Sequence, residues 1–214
     1  MSNDYTYYAI SIFITYVLII CATWVTFSRW SYLNKTKEWI FLPFFCFTIF
    51  IELLSQYYVW ILVKNTAVII DFYTLVAMLF AIYWFYSYLK YKWLAVLSSI
   101  IMLLSYIISV YYVDHYNYEL PAIVIAAALI ITSTVFVFLN SILKTNDKGQ
   151  FKMHRPFWIS IGFFVLHMNA MPFVLFLPNL QRLSWQVSSV LIFINLIVYG
   201  CFIYGLLLQP KSNG

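Results

Sequence analysis

Seven apolar runs of membrane-spanning length, joined by short polar connections, constrain this 214-residue chain more than any other feature. They are Tyr7–Phe27, Trp39–Val63, Ala67–Leu89, Trp93–Val113, Pro121–Leu143, Phe157–Leu177 and Gln186–Leu208. A helix of about 20 apolar residues crosses a bilayer core. None of the runs shows the period-two alternation of a barrel strand, and backbone in lipid must satisfy its own hydrogen bonds, so each run is expected to be a helix. The expected fold is all-α: a polytopic membrane helical bundle of seven transmembrane helices, forming one domain over residues 1–214. With 64% hydrophobic and 9% charged residues, the chain has too few charges for a soluble domain, and its length leaves no room to append one.

Prolines punctuate these runs. Pro121 and Pro156 stand where a helix begins and a missing N–H costs nothing, whereas Pro178 and Pro210 follow runs and stop them. Pro43 falls in the first turns of the second run, and Pro172 lies inside the sixth, which it should kink. Basic residues set the orientation. Arg29, Lys35, Lys37, Lys90, Lys92, Lys144, Lys148, Lys152 and Arg155 lie on one side, against Lys64 and Arg182 with Asp4, Asp71, Asp114 and Glu119 on the other. The N-terminus is therefore expected outside and the C-terminus, with Lys211, in the cytoplasm.

The net charge of +5 is spread over three short loops, which topology and anionic headgroups explain, so no nucleic-acid partner is expected. The longest loop, Lys144 to Pro156, offers a place for a cytoplasmic partner. The acidic, polar start MSNDYTYY is no signal peptide, so the first helix is expected to stay in the chain. Cys21, Cys46 and Cys201 are scattered singly without metal-ligand spacing and read as small buried apolar residues. Trp30, Trp39, Trp93, Trp158 and Trp185 fall near helix ends, as interfacial anchors do, while Tyr83, Trp84, Phe85 and Tyr86 lie within a span.

The informative minority is polar. Glu52 lies roughly halfway along the second run, a position that costs roughly 2.5–3.5 kcal/mol for a carboxylate and normally faces the bundle interior or a wet cavity. No Lys or Arg lies inside another run to pair with it. Gln56 is four residues on and shares its face, with Thr48 and Ser55 within about one turn. His167 and Asn169 in the sixth run, Thr132, Ser133 and Thr134 in the fifth, Ser105 in the fourth and Asn195 in the seventh reach midplane depth. Glu52, Gln56, His167, Asn169 and Asn195 form the candidate ligand or ion pocket. The competing reading, interhelical glue, is favoured for the hydroxyls and Asn195. Asp71 and Tyr73 form a candidate outer gate, with Lys64 one loop away as partner for Asp71.

Catalytic templates fail. The chain has no HExxH, no GxSxG, no Gly-rich phosphate loop and no aspartate-rich pair for magnesium. His115, His154 and His167 are expected outside, inside and at midplane, so no metal site and no cofactor is expected. The seventh run has no lysine for a retinal Schiff base. Seven helices with the N-terminus outside is also the layout of sugar carriers built from two parallel three-helix repeats and a linker helix. Trp39, Phe44 and Phe45 match Trp158, Phe163 and Phe164 in spacing and direction, though the Pro-Gln dipeptide of that wider group is absent.

An aromatic-rich, Lys/Asn-biased chain of this size, with Glu52 in its second run, FWISIG opening its sixth and an Asn in its seventh, resembles small seven-helix proteins of Bacteroidota-type bacteria. The resemblance implies a multi-pass protein of the cell inner membrane. It implies no activity and no residue role. The functional expectation is a receptor-like or partner-binding membrane module that senses a small or lipidic ligand around Glu52 and acts through a separate membrane or cytoplasmic protein. One alternative is a proton- or cation-coupled carrier of small solutes using Glu52. Another is a lipid-modifying enzyme with Glu52 and His167 as acid and base, although the missing motifs argue against an enzyme.

Overall fold

A computed structural model describes residues 2–62, 67–89, 92–112, 121–145, 154–176 and 185–208, with side chains described for 9–62, 68–89, 92–108, 125–141, 154–168 and 189–208. The described residues are helical and contain no strand. Eight α-helices run in chain order: α1 Ser2–Ser28, α2 Trp30–Leu33, α3 Phe41–Trp60, α4 Ala67–Tyr88, α5 Lys92–Tyr112, α6 Pro121–Thr145, α7 Arg155–Phe176 and α8 Trp185–Leu207. A short 3₁₀ turn, Lys37–Ile40, leads into α3. Four helices are long and apolar enough to cross a membrane over Ala9–Ser28, Lys37–Trp60, Val68–Tyr88 and Ser189–Leu207. For the other long helices, α5, α6 and α7, the described side chains stop short of that length.

Hydroxyls inside these helices mostly serve their own backbone. Thr26 donates to the Ala22 carbonyl at 2.7 Å, Thr132 to Ala128 at 2.7 Å, Ser133 to Leu129 at 2.8 Å and Ser105 to Ile101 at 2.9 Å. A hydroxyl in an apolar medium reaches the carbonyl four residues back without a partner helix. Interhelical glue is therefore not what holds Ser105 or Ser133.

The helices close into a ring. α1 packs on α3, α3 on α4, α4 on α6, α6 on α7, α7 on α8, and α8 returns to α1. α5 stands outside the ring against α4 and α6, and Val96, Ile100, Leu104 and Ile107 on its outer face are exposed. Exposed Phe13, Trp24, Phe136 and Phe193 continue that apolar surface around the bundle, as lipid contact requires. Cys21 and Cys46 belong to it as well, which corrects the expectation that all three cysteines are buried; Cys201 is. A thiol is small and apolar enough to face lipid as readily as protein.

The ring is filled by aromatic side chains near its basic end. Phe41 lies within 6.1 Å, centroid to centroid, of Phe80, Trp84, Phe163 and Phe202, which come from α4, α7 and α8. Phe44 stacks on Phe80 at 4.2 Å, and Trp84 and Phe85 meet Phe138 of α6. Two glycines let α7 and α8 approach: a Cβ at Gly162 would lie 2.8 Å from Cε1 of Phe202, and one at Gly205 would lie 3.1 Å from Cγ1 of Ile159. Small residues at such a crossing allow close packing where lipid supplies no hydrophobic drive between helices. The backbone of α7 remains helical through Pro172.

Candidate functional site

Glu52 lies beyond the aromatic core, about one turn past Thr48 as α3 leaves the basic side, and it is half-buried. Among the described residues it makes no hydrogen bond and no ion pair. Two phenols, Tyr73 of α4 and Tyr199 of α8, lie within electrostatic reach of the Glu52 carboxylate. Tyr73 has its hydroxyl 3.5 Å from Thr48 Oγ1 and its ring stacked on Phe47 at 6.2 Å. Thr48 donates to the Phe44 carbonyl at 3.0 Å, which fixes the hydroxyl that Tyr73 meets. Three helices thus bring one carboxylate, two phenols and a threonine together, a combination that sequence spacing could suggest only for the α3 members.

The other expected pocket residues have separate partners. Gln56 accepts a hydrogen bond from Trp60 Nε1 at 2.7 Å along its own helix, near the exposed end of α3. Asn195 donates to Thr15 Oγ1 at 2.8 Å and ties α8 to α1. His167 is buried, with Nδ1 2.9 Å from the Phe163 carbonyl. Phe163 lies beside both Phe41 and Phe44, at 6.1 and 6.4 Å. At about 1.5 Å rise per residue, Glu52 stands roughly a turn and a half further along the bundle than His167, so depth separates the two. No hydrogen bond joins them. The Asn169 side chain lies outside the described residues, as does Lys64, the expected partner of Asp71. Asp71 itself is buried.

A second polar cluster, which the sequence reading missed, sits at the basic end. Glu38 in the 3₁₀ turn is 2% exposed and pairs with Arg155 at the start of α7, NH1 to Oε2 at 3.3 Å. Tyr88 at the end of α4 donates to the same carboxylate. Arg155 also donates to the Leu208 carbonyl at 2.6 Å and lies over the Tyr32 ring of α2 at 5.0 Å. Arg29 donates to the Leu207 carbonyl at 2.5 Å, and Lys37 donates to the Ser87 carbonyl while lying over the Tyr88 ring. Three cations therefore cap the carbonyl ends of α4 and α8, where the helix dipole favours positive charge. Glu38 was hidden because it sits among basic residues that serve as a topology signal. Its position beside Trp39, in the turn that opens a span, was the available clue.

The Glu52 cluster carries the chemistry to attract a small cation. A carboxylate with no ion-pair partner among the described residues offers the charge for such an ion. The cluster at the basic end holds helix ends in place through its own contacts. Comparison with family models, with curated proteins and with solved structures finds no match for this chain.

Proposed function

We propose that the chain crosses the inner membrane of a bacterium seven times, with the N-terminus outside and the C-terminus in the cytoplasm, and works as a receptor-like module. Its pocket is centred on Glu52 with Tyr73 and Tyr199, its ligand is a small cation such as an organic amine, and its output passes through a separate membrane or cytoplasmic protein. Four helices meet the demands of a span, and the long helices α5, α6 and α7 cover the three remaining apolar runs. The asymmetry of basic loops supports the orientation. The observation that carries the reading is Glu52, unpaired among the described residues, above an aromatic core that fills the basic half of the ring. A ligand would reach such a carboxylate from the outer side and find the other side closed.

A coupled carrier is the second reading, and a particular arrangement favours it. The ring consists of two consecutive trios, α1, α3 and α4 and then α6, α7 and α8, with α5 outside between them. That is how two parallel three-helix repeats and a linker helix would be laid out. Phe44 and Phe163, matched in the repeat pattern, pack against each other at 6.4 Å, as residues near a pseudo-two-fold axis do. The acid–base enzyme has less support, because His167 is directed at a backbone carbonyl on another level.

Side-specific labelling separates these readings. Glu52→Cys is placed in a chain whose native cysteines are replaced, and right-side-out and inside-out vesicles are treated with an impermeant thiol reagent. Labelling from the N-terminal face alone supports the receptor-like module. Labelling from both faces supports a carrier, and protection from both would overturn the two together.

A further inference from the structure

A groove of about 450 Å³ runs along the outside of the bundle between α3 and α4, and its lining reaches Phe47, the ring on which Tyr73 of the Glu52 cluster stacks. Ile40 of the 3₁₀ turn and Phe44 and Phe47 of α3 face Val76, Phe80 and Tyr83 of α4 across it. Its floor is the stacked pair Phe44 and Phe80. The volume falls within the range of small-molecule sites, and the walls are apolar and aromatic. On α4 the lining positions Val76, Phe80 and Tyr83 continue along one helical stripe to Ser87. The Ser87 carbonyl is the one to which Lys37 donates, so the lysine crosses the α3–α4 seam just past the groove's basic end. Trp39, half-exposed in the same turn, lines that end, and Lys35 and Lys37 are both exposed there. The nearby acid, Glu38, is buried and paired to Arg155, so it does not offset their charge at the surface.

From this charge and shape we infer that the groove is a site for an anionic phospholipid of the adjoining leaflet, with one acyl chain between α3 and α4 and its phosphate at Lys37. A bare apolar groove would take any lipid tail. The ammonium at its end selects the headgroup, while the tryptophan ring sits at headgroup depth.

The test is native mass spectrometry of the full chain, delipidated in mild detergent and offered equal amounts of phosphatidylglycerol and phosphatidylcholine with the same chains. Retention of one phosphatidylglycerol in preference to phosphatidylcholine is expected, by about fivefold, the effect of one basic side chain near an anionic headgroup. Val76→Trp, which fills the groove and leaves Lys37 in place, should abolish retention of both lipids. Lys37→Met should keep the groove and lose the preference, with its melting temperature as a control for the lost Ser87 contact. Equal retention of the two lipids by the unaltered chain, a second copy of the chain in place of lipid, or a Val76→Trp variant that still holds phosphatidylglycerol would each overturn the assignment.

Discussion

The Glu38 carboxylate and the Arg155 guanidinium are 117 positions apart in sequence and 3.3 Å apart in the bundle, both almost wholly buried. The contact joins the α1–α3 connection to the start of α7. Breaking a buried pair from one side strands the remaining charge, which typically costs about 3–5 kcal/mol. Glu38→Gln and Arg155→Met are each expected to lower the melting temperature in detergent strongly. The double variant should lose clearly less than the two losses combined, because neither charge is then stranded. Additive losses in that cycle would mean that the pair contributes nothing as a pair.

Gly162 allows α8 to bring Phe202 against α7. With Phe202 already packed on Phe41, Phe45 and Phe163, its ring has no room to retreat from a new side chain. Gly162→Leu should cost about 1–3 kcal/mol or more by overpacking. Gly200, whose added Cβ would meet nothing, is the internal control, and Gly200→Ala should melt like the parent chain. Equal melting of Gly162→Leu and Gly200→Ala would contradict the packing described.

Asn195 and Thr15 offer a smaller, cleaner test. Their hydrogen bond crosses from α8 to α1 at 2.8 Å, and such bonds in membrane bundles average about 0.6 kcal/mol and reach about 1.7. Asn195→Leu and Thr15→Val should each weaken the bundle modestly, with a coupling energy in that range. A coupling of zero would place Asn195 elsewhere.

Glu52 should behave in the opposite way from Glu38. Among the described residues its carboxylate has no hydrogen-bond partner to abandon, so Glu52→Gln and Glu52→Leu are expected to leave detergent melting unchanged or raised. Both should abolish binding of a cationic ligand at the pocket. A fall in melting as large as that of Glu38→Gln would show that the carboxylate is a structural strut, and full binding by the Gln variant would remove it from the pocket.

The helices were legible because apolar residues on all faces leave backbone no solution in lipid but its own hydrogen bonds. The run Pro121–Leu143 corresponds to α6, Pro121–Thr145, and Ala67–Leu89 to α4, Ala67–Tyr88. The start of Trp39–Val63 was less visible. There the chain first makes the turn Lys37–Ile40 and then α3, since Thr36 caps that turn by accepting from the Glu38 N–H. Glu52 stood out by cost alone; Tyr73 stood out only as a gate partner for Asp71 and Tyr199 not at all, because tyrosine is common throughout this chain and only packing sets these two beside Glu52. Gln56 and Asn195 shared depth or face with Glu52 and still found other partners. Spacing along one helix fixes a face, and it does not fix which helix that face meets.

Phe41 touches rings from three other helices, so the bundle has a pivot near its basic end. A displacement at Glu52 acts on α3 about 16 Å beyond that ring, at 1.5 Å per residue. Held at Phe41, α3 can answer by tilting rather than sliding, and its short arm on the other side of the pivot is the turn carrying Lys37 and Glu38. A small outward swing of the long arm would then arrive as a smaller, opposite movement where the first basic connection meets the bundle's surface.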